Sequence, residues 1–130
     1  MDRTISEMKV HSKHNCYAVG EAAMSYLQTE VAVSTRLEIG TNLIKISGGS
    51  FNYKNDSGHS GEPLVMLWIY GGKVTNRKTG VLVNSTWESL NGYDDSLTLE
   101  VTEPATLCAF FFDTYIEDNE GEIQLTIARI

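Results

Sequence analysis

The sequence predicts an all-β protein, a two-sheet antiparallel β-sandwich of the jelly-roll or galactose-binding-domain-like kind, with room for a short N-terminal helix. Three observations carry this. From Glu30 onward apolar residues alternate with polar or small ones, as in Val31, Val33, Thr35, Leu37 and Ile39 or Leu97, Leu99 and Val101, the period of a half-buried strand. Turn residues recur at short intervals between these runs, at Gly40-Thr-Asn, Gly71-Gly72, Asn76-Arg-Lys78 and Pro104. Good helix formers gather in one run alone, Glu21–Gln28. Roughly six to nine short strands with regular turns fit two packed sheets better than any helical architecture.

In order, Met8, Val10 and Ser12 can form a short strand ahead of the polar His11–Asn15 turn. Gly20 then permits a helix start, but Glu21–Gln28 covers only about two turns and needs tertiary support. Residues 1–30 are therefore an N-terminal extension of mixed pattern on a single domain spanning 1–130. The alternation to Ile39, the Gly40-Thr-Asn turn and Leu43, Ile44 and Ile46 signal a hairpin. Leu64–Tyr70 is an unbroken apolar run ending at two glycines, the pattern of a central strand. Residues 73–83 suggest a strand pair around the basic turn, whereas Trp87–Tyr93 is ambiguous. Ser96–Thr102 alternates cleanly, Pro104 breaks it, and Ala105–Phe112 reads as another buried strand. The last strand sets Ile123, Leu125 and Ile127 on one face.

The totals narrow the partners. Seventeen acidic residues against ten basic ones give a net charge of −7, which disfavours nucleic acid and anionic membrane surfaces. A cation or a neutral ligand fits better. No apolar run reaches membrane-spanning length and no signal peptide is recognisable, so membrane insertion is not expected and a cytoplasmic location is, with release or surface association left open. Cys16 and Cys108 are read as reduced thiols, a long-range disulfide being the alternative.

The chemistry concentrates in Asp113–Gly121. Asp113 closes an apolar run, Asp118 and Asn119 add side-chain oxygens, and Gly121 lets the chain turn back into a strand. Calcium takes six to eight oxygen ligands from such groups, although Asp, Asn and Gly are also the ordinary vocabulary of solvated turns. His59 stands in the glycine-rich Ser57–Glu62 loop, where it can donate to a bound hydroxyl or simply face solvent. Ser60 in Gly-His-Ser-Gly lacks the flanking glycines of a nucleophile elbow. Asp94 and Asp95 read as a turn, and His11 with His14 as a solvated pair more readily than as metal ligands. No enzyme chemistry is indicated.

The stretch Thr35–Tyr53, with Leu64-Val-Met66 and the final Asp118-Asn-Glu-Gly-Glu-Ile-Gln-Leu125, resembles the calcium-dependent galactophilic lectins of the PA-I type, small bacterial β-sandwich proteins. Gly49, Phe51 and Tyr53 are similar to that family's Gly-aromatic-x-x-Tyr step, and Asp113, Asp118, Asn119 and Gly121 to its second calcium segment. The resemblance covers about residues 33–127. It implies calcium held by the Tyr53 carbonyl, the carboxylates of Asp113 and Asp118, the Asn119 amide oxygen and a backbone carbonyl near Tyr115. It also implies a galactose-type sugar or glycoconjugate meeting His59, Glu62, Asp113, Thr114, Asp118 and Asn119. Two departures stand against this: Thr114–Glu117 is shorter and bulkier than the family's loop there, and the loop after Tyr53 is also shorter. The alternative is a protein-binding or structural sandwich that has lost sugar binding. Lectins of this kind multiply weak sites by self-association, and Ile127, Ala128 and Ile130 form an apolar strand finish; a homo-oligomer, dimer or tetramer, is therefore expected.

Overall fold

A computed structural model describes residues 4–52, 63–112 and 120–130. Among these the chain forms nine strands: β1 Val33–Leu37, β2 Gly40–Asn52, β3 Leu64–Tyr70, β4 Lys73–Asn76, β5 Leu82–Val83, β6 Thr86–Asn91, β7 Ser96–Glu103, β8 Ala105–Phe110 and β9 Glu120–Arg129. They build two sheets, one of four strands in the order β1-β8-β3-β6 and one of five in the order β5-β4-β7-β2-β9. Every pairing is antiparallel. The fold is the all-β sandwich that the alternation predicts.

The core forms where the inward rows of both sheets meet. Leu37, Val65, Leu67, Ile69, Leu90, Ala105 and Leu107 come from the four-stranded sheet, and Ile44, Ile46, Val74, Leu97, Leu99 and Val101 from the other. Each large aliphatic side chain buried this way is worth about 1.5–3 kcal/mol. Strand β3 is apolar on both faces for a reason its burial makes plain. Val65, Leu67 and Ile69 enter the core, while Trp68 lies outward opposite Trp87 in the β3–β6 ladder, their rings 4.4 Å apart. Trp87 in turn meets Phe110 edge-on at 6.1 Å. An aromatic cluster therefore covers the outer face of the central strands and buries Cys108 completely.

Two sequence expectations are corrected. The Gly40 turn does not make a hairpin: β1 pairs with β8 and β2 with β7 and β9, so the turn carries the chain from one sheet to the other. Leu37 and Ile44 both point into the core from opposite layers, which adjacent strands of one sheet cannot achieve. Asn42 braces this crossing, its buried amide donating to the carbonyls of Glu38 at 2.9 Å and Gly40 at 3.2 Å. The second correction is at Met8–Ser12, which forms no strand; residues 4–20 are exposed, with a single turn in which Asn15 N–H donates to the His11 carbonyl.

The helix forms where helix formers cluster. It runs as α1, Glu21–Tyr26, and continues as a π-helical turn over Leu27–Val31. No residue of either is buried. Strand β1 is equally marginal: it edges its sheet, and Val33 is 78% exposed although its alternation suggests a half-buried strand. The expected strand pair at 73–83 is β4 with β5, and Asn76 closes its turn by accepting from Gly80 N–H at 2.8 Å and Lys78 N–H at 3.0 Å. The Asn76 amide also donates to Glu88 Oε1 across the sandwich at 2.8 Å.

On the outer face of the five-stranded sheet, Glu100 accepts from the Thr41 hydroxyl and from Arg77 Nε, each at 2.7 Å. The Thr41 hydrogen bond first, then Arg77, outweigh desolvation and hold its carboxyl below the usual glutamate range. A carboxyl lowered on folding adds stability above its unfolded pKa and loses it as pH falls through the folded one. In denaturant titrations at decreasing pH, Glu100→Gln is therefore expected to be less stable than the parent at neutral pH, with the gap closing below the usual glutamate range. A gap unchanged by acid would show that the carboxylate's charge contributes nothing.

Candidate functional site

Strand register decides where the two nominated segments attach. Strand β2 ends with Asn52 paired to Glu120, the first residue of β9, and Phe51 paired to Gly121. In the other sheet, the end of β8 lies beside the start of β3, with Phe110 paired to Met66. The strand ends that flank residues 53–62 therefore lie beside those that flank residues 113–119, β2 with β9 in one sheet and β3 with β8 in the other. The end of β6 joins them: Leu64 pairs with Asn91, and Gly92 N–H donates to the Pro63 carbonyl at 2.6 Å.

This end depends on two glycines. The ladder between β2 and β9 slips between Ile46 and Gly48 in a β-bulge, which bends the strand. At Gly49, φ is +90°, and a Cβ built there would lie 2.1 Å from the Glu122 carbonyl oxygen. Only glycine accepts both the left-handed backbone and that approach. Further along the same ladder Gly121, paired to Phe51, also has positive φ, +94°. The Tyr93 hydroxyl donates to the Gly49 carbonyl and ties the β6–β7 turn to the bulge. Asp95 closes that turn by accepting from Asn91 N–H at 3.1 Å, and pairs with Lys78 at 3.5 Å.

Two surface depressions flank the bulge. One, of about 430 Å³, is lined by Gly48, Gly49, Glu122, Ile123 and Gln124. The other is an open groove of about 530 Å³ on the outer face, between Lys45, Ser47 and Thr126 on the strands and Tyr93 with Asp94 on the turn. Both are shallow; the first is lined mostly by polar surface and the second mostly by apolar surface.

The sequence-nominated residues themselves, Tyr53, His59, Glu62, Asp113, Thr114, Tyr115, Asp118 and Asn119, lie outside the described residues, as does Ser60. Among the described residues, no three His, Cys, Asp or Glu side chains gather as a metal site. His11 and His14 stack on each other at 4.3 Å, and His11 Nδ1 accepts from the N–H groups of Lys13 and His14. Cys16 is exposed and Cys108 buried, and both are free thiols, as expected. The Asp94–Asp95 turn is a turn, also as expected, but its role in bracing Gly49 through Tyr93 was not legible. Nothing in the spacing of Tyr93 from Gly49 points to their contact, which exists because β6–β7 and β2–β9 meet at one end. No protein-family model, no characterised protein and no solved structure matches this chain.

Substituting Gly49 tests whether this end is built as described. Gly49→Ala is expected to destabilise the protein by about 1–3 kcal/mol in urea unfolding, whereas Gly71→Ala, with nothing within 4 Å of its Cβ, pays only for positive φ and should cost less. Equal losses at the two positions would remove the steric role given to the Glu122 carbonyl.

Proposed function

We propose that the protein is a calcium-dependent carbohydrate-binding module, non-enzymatic, with a galactose-type sugar as ligand. One observation carries the reading. The Asn52–Glu120 pairing joins the strand that leads into Tyr53 to the strand that follows Asp118 and Asn119, so two segments far apart in sequence share a root. A bipartite oxygen site needs that convergence, since calcium takes six to eight ligands and no single short turn here offers so many. The net charge of −7 further favours a cation. In this proposal the Tyr53 carbonyl, the carboxylates of Asp113 and Asp118, the Asn119 amide oxygen and a carbonyl near Tyr115 would hold the ion. The ion's chemistry would be to offer two adjacent positions to vicinal sugar hydroxyls. His59, Glu62 and Thr114 would line the sugar.

A second reading, a protein-binding sandwich that has lost sugar binding, is favoured by the aromatic outer face of the four-stranded sheet, where Trp87 is 44% exposed beside Trp68. Indole rings of this kind are common anchors at protein interfaces.

Calorimetry of chelator-stripped protein with calcium and then galactose separates the two. On the first reading, calcium at a hundredfold excess over its Kd adds about 2.7 kcal/mol to stability. Asp118→Ala with Asn119→Ala abolishes that gain, and galactose binds only with calcium present, in the millimolar range at about 4 kcal/mol. A melting curve indifferent to chelator, with a blank galactose titration, would leave the protein-binding reading.

A further inference from the structure

Strand β9 closes the five-stranded sheet with an open edge, and its geometry is unusually specific about what that edge presents. Among the described residues it pairs with β2 alone. Ile130 N–H donates to the Thr41 carbonyl, Ser47 Oγ donates to the Gln124 carbonyl, and the Glu122 carbonyl faces Gly49. Even-numbered residues of β9 thus turn their backbone groups toward β2. By the alternation of an antiparallel ladder, odd-numbered residues from Gly121 to Arg129 turn theirs to the open side.

Long open edges are ordinarily blunted by lysine, proline or extreme shortness. The far edge of the same sheet, β5, is two residues long. By contrast β9 runs ten residues with neither lysine nor proline. On its core side Ile123 and Leu125 are only partly buried, and Ile127 is 36% exposed. The apolar row therefore continues past the cover the other sheet provides.

We infer that the open edge of β9 is the interface between two copies of this chain, paired antiparallel about a two-fold axis at Leu125. That register uses the whole strand. Ile123 then lies opposite the second copy's Ile127 and Leu125 opposite its counterpart, which extends both cores across the junction. On the outer side Glu122 faces Ala128 and Gln124 faces Thr126, so no like charges are opposed. A parallel arrangement would set Glu122 beside Glu122. Isologous pairing of this kind is closed, and it leaves no further β9 edge for fibre growth. The inference does not rest on the calcium reading, because among the described residues no strand pairs with the odd-numbered side of β9.

Sedimentation equilibrium on the full chain tests this. The parent is expected at about twice 14.4 kDa at micromolar concentration. Ile127→Pro, which removes an N–H on the open side and none on the β2 side, is expected to give the single-chain mass with the sandwich's circular dichroism retained. Because a proline substitution can unfold a strand, the decisive pair is at Ala128, an exposed outward position. Ala128→Glu sets carboxylates opposite the second copy's Glu122 at two symmetric contacts and should weaken the dimer about tenfold; Ala128→Lys should tighten it by a similar factor. A parent that sediments as one chain at a hundred micromolar overturns the assignment, as do Ala128→Glu and Ala128→Lys shifts in the same direction.

Discussion

The close approach of β2 and β9 at Gly49 is the constraint on which the other features of this molecule depend. Strand β2 is thirteen residues long and pairs on both sides, with β7 over its first half and β9 over nearly its whole length. A straight strand of that length would run past the sandwich. The bulge at Ile46–Gly48 and the positive φ of Gly49 bend it, so that its second half stays paired with β9 after β7 has ended. That continued pairing brings Asn52 beside Glu120. Without it, the end of β2 and the start of β9 would not meet.

The two faces of the four-stranded sheet differ in composition. Its inner row completes the core with Leu67 and Ile69 fully buried. Its outer row is aromatic along β3, with Tyr70 stacked parallel to Trp68 at 6.3 Å and Trp87 over Phe110. An outward row of this composition lowers the exposure of Cys108 to zero, which keeps that thiol chemically quiet. The exposed Cys16 lies in the N-terminal extension, away from any described partner. The Trp68 indole N–H is buried and finds no hydrogen-bond acceptor among the described residues, a sign that packing rather than polar pairing holds this face.

The polar contacts brace a crossing between layers or tie one layer to the other. Asn42 braces the β1–β2 crossing, Asn76 ties β4 to Glu88 of the opposite sheet, and Tyr93 ties the β6–β7 turn to β2. Asn42 and Asn76 are the buried polar residues among those described, and both spend their amides on hydrogen bonds, as burial demands. Apolar rows forbid a one-residue slip, which would turn them out to solvent, but not a two-residue slip that keeps them facing inward. Directional bonds at the crossings remove that freedom.

Much of the architecture was determined by the sequence itself, because strand burial repeats every two residues and the repeat is visible without coordinates. Leu97, Leu99 and Val101 alternate into the core as written, Pro104 separates β7 from β8, and the Asn76 turn joins β4 to β5. The acidic segment before β9 and the glycine pair in β2 were legible as exceptional. What tertiary structure alone decided is pairing. The Gly40 turn looks like a hairpin because local pattern does not distinguish two strands side by side from two strands facing each other across a core. The meeting of Asn52 with Glu120, and of Tyr93 with Gly49, joins residues 68 and 44 positions apart by register and layer order. Those are properties of the whole sandwich, since each hydrogen-bonded neighbour is selected by where every other strand has already been placed.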